Sequence, residues 1–172
     1  MTATRPNSLR LVVFMEPARK EKFKRSGRFC SEREYSAARI GKFCRKKHLP
    51  YGEKFVCAAI LAPRESICDC PARIYGSHYV LLKNSESVLR SIGMVARDDL
   101  LQLLTNMATR FEQNAPDDSL RRKVRDLRER NTRQKLTDLL WATKEHGTHG
   151  YSEARLSRCI TWEDVASCGK CD

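Results

Sequence analysis

The sequence predicts an α+β fold, with a small mixed sheet and a basic helix in its N-terminal half and a mostly helical C-terminal half. Continuous apolar runs bounded by turn residues favour strands near the N-terminus. After about residue 84, apolar residues recur at helical spacing instead. We expect one compact unit with three regions. These are a basic α+β region over 1–83, a helical region over 84–145 and a Cys/His tail over 146–172.

Three strands are predicted in the first region. Residues 9–15 are apolar and β-branched in the middle, and Pro17 closes them. Residues 54–62 form a second apolar run that is typical of a covered strand or a short buried helix. Residues 72–82 alternate and then become apolar throughout, which predicts the third strand.

A basic helix is predicted between the first two strands. Ser31 and Glu34 have the spacing of a capping box, and the helix should end before Pro50. Its cations fall largely opposite its apolar face. The segment 18–28 is highly charged and contains Gly27, so we expect a loop or a mobile arm there.

Helices are predicted through most of the remaining chain. Asn84 or Ser85 can cap a short helix that Gly93 ends. Asp99 then begins a helix with a leucine-rich stripe over 100–111. A further charged helix starts near residue 116, and its apolar face shifts by about half a turn near Asn131. Either the helix breaks there and restarts, or it is one long helix that contacts different packing partners at its two ends. In the tail, only a short capped helix near residue 161 is predicted.

Positive charge is concentrated near the N-terminus. The chain carries a net charge of +12, and residues 1–50 hold 14 Lys and Arg against 4 Asp and Glu. Such clustering attracts polyanions and releases their counterions. Phe23, Phe29, Tyr35 and Phe43 lie among the cations and could stack on unpaired bases or pack inward. The predicted RNA-binding residues of this stretch are Arg19, Lys20, Lys22, Lys24, Arg25, Arg28, Lys42, Arg45, Lys46 and Lys47.

A second basic surface is predicted on the charged helix. Arg121, Arg125 and Arg128 recur at i, i+4 and i+7, a spacing that can follow a phosphate backbone. For both surfaces the alternative is a solvated basic face, here with intrahelical pairs such as Arg125–Glu129.

The cysteines and histidines suggest two zinc sites. The tail contains a Cys-x2-Cys pair with nearby donors, which suits tetrahedral Zn²⁺. Its candidate ligands are His146, His149, Cys159, Cys168 and Cys171. A second candidate set consists of Cys30, Cys44, His48, Cys57, Cys68 and Cys70, with His78 nearby. The alternatives are a disordered tail and ordinary buried thiols at Cys44 and Cys57.

The compartment and the redox state of the eight cysteines are predicted together. No apolar run is long enough to span a membrane or to form a signal-peptide core. We therefore expect an intracellular protein, in the cytoplasm or nucleus, with no membrane association. In such a reducing compartment, structural disulfides are not expected. The alternative is a secreted disulfide framework, with which the even number of cysteines is compatible.

An RNA-binding regulatory protein stabilised by zinc is the function that these patterns favour. A small, basic, Cys-rich chain of this kind fits a viral accessory factor that sequesters RNA or antagonises a host pathway. The alternative is an adaptor, or a subunit of a ribonucleoprotein assembly, that uses its leucine-rich helices to bind a protein partner or a second copy. The sequence contains no deaminase His-x-Glu signature, glycine-rich phosphate loop or nucleophile elbow, so it does not favour an enzyme.

Overall fold

The computed structural model describes residues 9–31, 34–50, 54–97, 99–115, 117–133, 136–145 and 151–172. Its strands are β1 (Arg10–Met15), β2 (Arg28–Phe29), β3 (Val56–Leu61), β4 (His78–Leu82), β5 (Ile92–Ala96), β6 (Ser152–Leu156), β7 (Ile160–Thr161) and β8 (Val165–Lys170). Its α-helices are α1 (Pro17–Ser26), α2 (Glu34–Lys46), α3 (Glu86–Arg90), α4 (Leu100–Glu112), α5 (Asp118–Arg133) and α6 (Leu136–Glu145). Short 3₁₀ helices span Pro71–Tyr75 and Trp162–Asp164.

The main sheet has six strands in the order β5-β6-β3-β1-β4-β8, and every neighbouring pair is antiparallel. Strands β2 and β7 form a separate antiparallel pair. The predicted mixed N-terminal sheet with a mostly helical C-terminal half is therefore wrong. The C-terminal half supplies β5, β6 and β8, and β6 lies between β5 and β3 inside the sheet.

Three features of the sequence concealed these C-terminal strands. All five residues of β6 are buried, but they include Glu153 and Arg155, so the segment does not look apolar. Strand β8 is an edge strand whose residues are mostly exposed, so burial imposes no hydrophobic alternation on it. In β5, Gly93 lies at a bulge opposite β6, whereas the sequence suggested a helix end.

Apolar clusters lie on both faces of the sheet. On the first face, Val13 and Ala154 pack with Phe23 of α1 and Leu139 of α6. On the second face, Met94 and Ala96 of β5 pack with α2, α4 and α5. Helices therefore cover both faces, as expected for a sheet whose strands are apolar on each side.

Helix α1 replaces the predicted mobile arm. It begins at Pro17, a residue suited to the first helical position, and ends at Gly27, whose φ of 70° is the left-handed conformation that favours glycine. The amide of Gly27 donates to the carbonyl of Phe23 over 2.8 Å. Only Phe23 of this helix is buried, so there is no apolar periodicity for sequence analysis to detect.

Several predicted elements are confirmed. Strands β1 and β3 fall within the two apolar runs, and α2, α3, α4 and α5 match the predicted helices. Helix α5 packs in the second-face cluster and α6 packs in the first-face cluster, so the apolar shift near Asn131 reflects two packing partners. Residues 134–135 lie outside the described residues. The third strand is only partly correct, because its first half is the 3₁₀ helix Pro71–Tyr75.

Candidate functional site

A groove lined by cations lies where α1 meets β2. It has a volume of about 250 Å³ and no acidic side chain among its lining residues. We call this space the basic groove. The residues that line it are Arg19, Lys22, Phe23, Ser26, Arg28, Phe29, Cys30 and Lys54. Three of the predicted RNA-binding residues meet here. Lys54 is the fourth cation, and the sequence analysis did not select it because it lies alone before a strand.

The shape of the basic groove depends on contacts made by Arg19. Its guanidinium donates to the carbonyl of Cys30 over 2.6 Å. The same group lies 4.8 Å from the ring centroid of Phe29, which is a cation–π distance. Arg19 is therefore held in place before any ligand arrives, which lowers the entropy that binding costs.

The C-terminal tail fixes α1 and β2 on the fold. Trp162 stacks on Phe23 with ring centroids 4.2 Å apart, and its indole N–H donates to the carbonyl of Phe23 over 3.3 Å. Strand β2 pairs with β7, with Arg28 opposite Thr161. A disulfide joins Cys30 to Cys159, with Cα atoms 4.6 Å apart. The basic groove is thus held by residues about 130 positions away in the chain.

A second cavity, of about 290 Å³, adjoins the basic groove and shares Arg19 and Phe29 with it. It opens where β1 and β3 separate. These strands pair only from Arg10 to Val12, and Ser31 then takes the place of β1 beside β3. The amide of Ser31 donates to the carbonyl of Phe55, and its hydroxyl accepts from the amide of Cys57. We call this space the inner cavity. Its other lining residues are Val12, Phe14, Glu16, Ser31, Cys57, Ala59, Ala72, Ile74, Tyr75, Leu101 and Glu153.

A buried carboxylate forms part of the wall of the inner cavity. Glu153 is only 3% exposed, and its Oε2 accepts from the amides of Leu100 and Leu101 at 2.6 and 3.3 Å. These are orphan amides at the N-terminus of α4, where the helix dipole favours negative charge. The sequence offered one signal for Glu153, since Ser152, Ala154 and Leu156 alternate with two charged residues, as in a strand.

Tyr75 lines the same cavity and is hydrogen-bonded to the N-cap of α4. Its hydroxyl donates to the carboxylate of Asp99, which also accepts from the amide of Gln102 over 2.8 Å. Burial, followed by the hydrogen bond to Asp99, raises the pKa of Tyr75. Burial and the nearby Glu153 raise the pKa of Cys57 in the same way. Both groups are therefore neutral near pH 7.

The fold divides the basic stretch that looks continuous in the sequence. Phe23 of α1 packs on the first face of the sheet, whereas Phe43 of α2 packs on the second. The remaining candidate cations of the stretch follow this division. Lys20, Lys24 and Arg25 lie on α1, and Lys42, Arg45, Lys46 and Lys47 lie on or just after α2.

The cations of α2 and α5 belong to one helical layer, because both helices pack in the same cluster with α4. Lys42, Arg45 and Lys46 are exposed, and Lys47 lies 5.5 Å from the ring centroid of Phe111. On α5 the predicted stripe of Arg121, Arg125 and Arg128 is exposed. Arg121 lies 3.8 Å from Asp118, which is a weak surface pair.

The aromatic residues among the cations pack inward. Phe23 and Phe43 are fully buried, and Phe29 is 5% exposed. The side chain of Tyr35 lies outside the described residues. Of the three described rings, Phe29 lines both the basic groove and the inner cavity, so it can still contact a ligand that enters them.

The leucine-rich faces of α4 and α6 are part of the core. Leu100, Leu104 and Met107 are at most 2% exposed and pack against α2 and α5. Leu139 and Leu140 are each 4% exposed and pack against the first face of the sheet. Leu101, Leu103 and Phe111 of α4 are only partly buried, so binding of a protein partner at these helices stays a prediction.

Four of the eight cysteines form disulfides, contrary to the expectation that none would. Besides Cys30–Cys159, a bond joins Cys68 to Cys171 with Cα atoms 5.3 Å apart. Each disulfide joins one cysteine of the tail zinc set to one of the second set. Disulfides persist in oxidising compartments, so they provide no support for the predicted intracellular location, which stays a prediction.

The four remaining cysteines are Cys44, Cys57, Cys70 and Cys168. Burial raises the pKa of the Cys44 thiol to about 11 and also raises the pKa of Cys70, which leaves both as protonated thiols. Cys168 is exposed on the edge strand β8.

Zinc binding stays a prediction. Within the described ranges, no three His, Cys, Asp or Glu side chains are grouped as a metal site. The paired Cys159 and Cys171 cannot supply thiolates while their disulfides are intact. His146 and His149 lie outside the described residues, and His48 lies at a left-handed turn after α2, with a φ of 53°.

Comparison with known proteins gives no match: no family model, no curated protein and no solved structure is similar to this chain. Among the helices of the described residues, none is long and apolar enough to cross a membrane.

Proposed function

We propose that this protein binds RNA and that the basic groove is its primary contact with the phosphate backbone. One observation carries the proposal: four cations converge on a groove that has no acidic lining residue, and the C-terminal tail holds that groove in place. Arginine and lysine contacts to phosphate supply the sequence-independent part of RNA affinity. Sequestration of RNA by a regulatory protein would need only these sequence-independent contacts to phosphate.

The cations of α2 and α5 are proposed as secondary contacts. Lys42, Arg45 and Lys46 of α2 and Arg121, Arg125 and Arg128 of α5 are exposed. A long RNA could follow them after it engages the basic groove, because clustered positive charge attracts a polyanion over about one Debye length.

A charge-reversal series tests the proposal. The first variant combines Lys22→Glu, Arg28→Glu and Lys54→Glu. A matched control combines Arg64→Glu, Lys83→Glu and Lys170→Glu, which changes the net charge equally at exposed positions outside the basic groove. Fluorescence anisotropy with a single-stranded RNA between 50 and 200 mM salt measures affinity and its salt dependence.

The groove variant should bind RNA at least about tenfold more weakly, and its slope of log affinity against log salt should be shallower by about 2. That slope change corresponds to three lost phosphate contacts at about 0.7 each for a single strand. The control should keep most of the wild-type slope. If both variants bind equally, the groove is not the primary contact. A third variant, with Lys42, Arg45 and Lys46 changed to Glu, measures the contribution of α2 on the same scale.

A further inference from the structure

The Cys30–Cys159 disulfide lies at the basic groove. Cys30 directly follows β2, is half-buried and lines the groove, whereas Cys159 directly precedes β7 and is 6% exposed. The carbonyl of Cys30 also accepts from the guanidinium of Arg19. One residue therefore belongs to the crosslink, to the wall of the groove and to the hydrogen bond that positions Arg19.

The disulfide reinforces a short strand pairing. Strand β2 pairs with β7 over only two residues. A strand pair of this length is marginal by itself. Ser31, the residue after Cys30, is hydrogen-bonded through its amide and its hydroxyl to the chain at the start of β3. Opening the disulfide should therefore loosen Arg28 and Cys30 in the groove, while the six-stranded sheet keeps the fold.

The charge of the basic groove favours reduction of this disulfide. Cys30 shares the groove with its four cations and with no acidic lining residue. Positive charge next to a cysteine stabilises its thiolate, which favours the reduced form. The same charge attracts the thiolate of a reductant. The second disulfide, Cys68–Cys171, lies outside the groove and provides an internal comparison.

We propose that the Cys30–Cys159 disulfide is a redox switch, and that its reduction by a dithiol lowers the RNA affinity of the basic groove. This inference rests on the proposed function, and it names how the same site is regulated. One thiolate of the dithiol attacks the sulfur of Cys30, the S–S bond breaks, and Cys159 leaves as a thiolate that takes one of the two protons released by the dithiol. The second thiolate of the dithiol then attacks the dithiol sulfur that is bonded to Cys30 and releases the Cys30 thiolate beside the cations. The dithiol is oxidised to a disulfide, and its two electrons reduce the two protein sulfurs.

Reduction and RNA binding are linked in both directions. If the disulfide strengthens RNA binding by some factor, bound RNA favours the disulfide over the two thiols by the same factor. Couplings of this kind are typically about 5- to 150-fold. RNA phosphates also neutralise the cations that stabilise the Cys30 thiolate. Bound RNA therefore protects the groove disulfide from the reductant, and the RNA-free protein is the form that is switched off.

A redox titration of the full chain tests the switch. The protein is equilibrated at graded ratios of reduced to oxidised dithiothreitol, with and without a saturating single-stranded RNA. Alkylation of free thiols followed by peptide mass spectrometry measures each disulfide separately. Fluorescence anisotropy measures RNA affinity at the same ratios, and circular dichroism follows the fold. The matched control, Cys68→Ser with Cys171→Ser, keeps only the groove disulfide, and Cys30→Ser with Cys159→Ser keeps only the other.

Reduction of Cys30–Cys159 should lower RNA affinity by at least about fivefold, and reoxidation should restore it. The matched control should respond as the wild type does, whereas the variant without the groove disulfide should bind weakly at every ratio. Saturating RNA should raise the dithiothreitol ratio for half-reduction of Cys30–Cys159 by the same factor. It should leave the ratio for Cys68–Cys171 unchanged.

Three results would overturn the switch. The first is an RNA affinity that stays the same after Cys30–Cys159 is reduced, which leaves the proposed function intact. The second is a half-reduction ratio that RNA does not shift. The third is loss of the native circular dichroism spectrum on reduction, because the bond would then maintain the fold rather than the groove. Absence of RNA binding by the fully oxidised protein overturns the proposed function instead.

Discussion

Asp164 is a buried acidic residue at the turn that positions Trp162. It is 7% exposed and accepts from the amide of Thr161 over 2.9 Å, which completes a capping box around the 3₁₀ helix. Arg158 donates to both of its carboxylate oxygens at 2.7 and 2.9 Å. Arg158, first by hydrogen bonding and then by its charge, lowers the pKa of Asp164.

The variant Asp164→Asn should therefore destabilise the protein by about 1–3 kcal/mol at pH 7, because it weakens hydrogen bonds to a charged group. The folded pKa lies below the ordinary value of 3.8, so the contribution of the carboxylate is complete above that value. It is lost as the pH falls through the folded pKa. Urea unfolding of wild type and variant from pH 7 down to pH 3 should show a difference that shrinks below pH 4. A difference that is constant over this range would contradict the assignment.

Helix α1 depends on the C-terminal tail for its position. Phe23 is the one buried side chain of this helix, and it stacks on Trp162 of the tail. Two of the four cations of the basic groove, Arg19 and Lys22, lie on α1. Loss of the stack should therefore release α1 and disorganise the groove.

The variant Trp162→Leu should lower both the stability and the RNA affinity, since it removes the ring that Phe23 packs against. Trp141→Leu is the matched control, because Trp141 also packs partly buried against the first-face cluster but lies on α6. Burial of a large aromatic side chain is worth several kcal/mol, so each variant should lose roughly 1–3 kcal/mol. Thermal unfolding and anisotropy measured on both variants separate the effects. Equal loss of affinity in the two would mean that the stack does not position the groove.

How much of each element could be predicted depends on which residues it buries. Strands β1 and β3 bury continuous apolar runs, and α4 buries a leucine stripe, so their sequences identify them. Helix α1 buries one residue, and β6 buries Glu153 and Arg155, so neither has a simple apolar pattern. Both elements form through tertiary contacts, and the periodicity of the sequence does not report such contacts.

The candidate site was predictable only in part for the same reason. The positive charge of Arg19, Lys22 and Arg28 is evident in the sequence, and this charge predicts contact with phosphate. The convergence of these three cations with Lys54 depends on the separation of β1 from β3. The inner cavity beside them depends on the same separation. The fold also places Lys42 and Arg45 in a different layer, which a count of charges along the chain does not reveal.

At the scale of the whole molecule, the C-terminal residues close the fold by joining distant parts of the chain. Strand β6 pairs with β3, and β8 pairs with β4. The two disulfides span 129 and 103 residues of sequence. A crosslink that closes so long a loop restricts the unfolded chain strongly and typically stabilises by about 2–4 kcal/mol.

The two disulfides give a matched pair of variants. Changing Cys30 and Cys159 to Ser should cost about 2–4 kcal/mol of stability and weaken RNA binding, because Cys30 lines the basic groove. Changing Cys68 and Cys171 to Ser should cost a similar amount of stability but leave RNA binding largely intact. Thiol titration of the unfolded, oxidised protein should first confirm four free thiols. Eight free thiols would contradict the disulfides, and equal RNA affinity in both variants would contradict their different roles.

We propose that RNA contacts the basic groove between α1 and β2. Photo-crosslinking of the full chain to a single-stranded RNA containing 4-thiouridine, followed by peptide mass spectrometry, tests it directly. We predict that the strongest crosslinks fall within residues 19–31 and at or next to Lys54, and that they fade as salt increases. Crosslinks confined to α2 and α5, with none in residues 19–31, would contradict the claim.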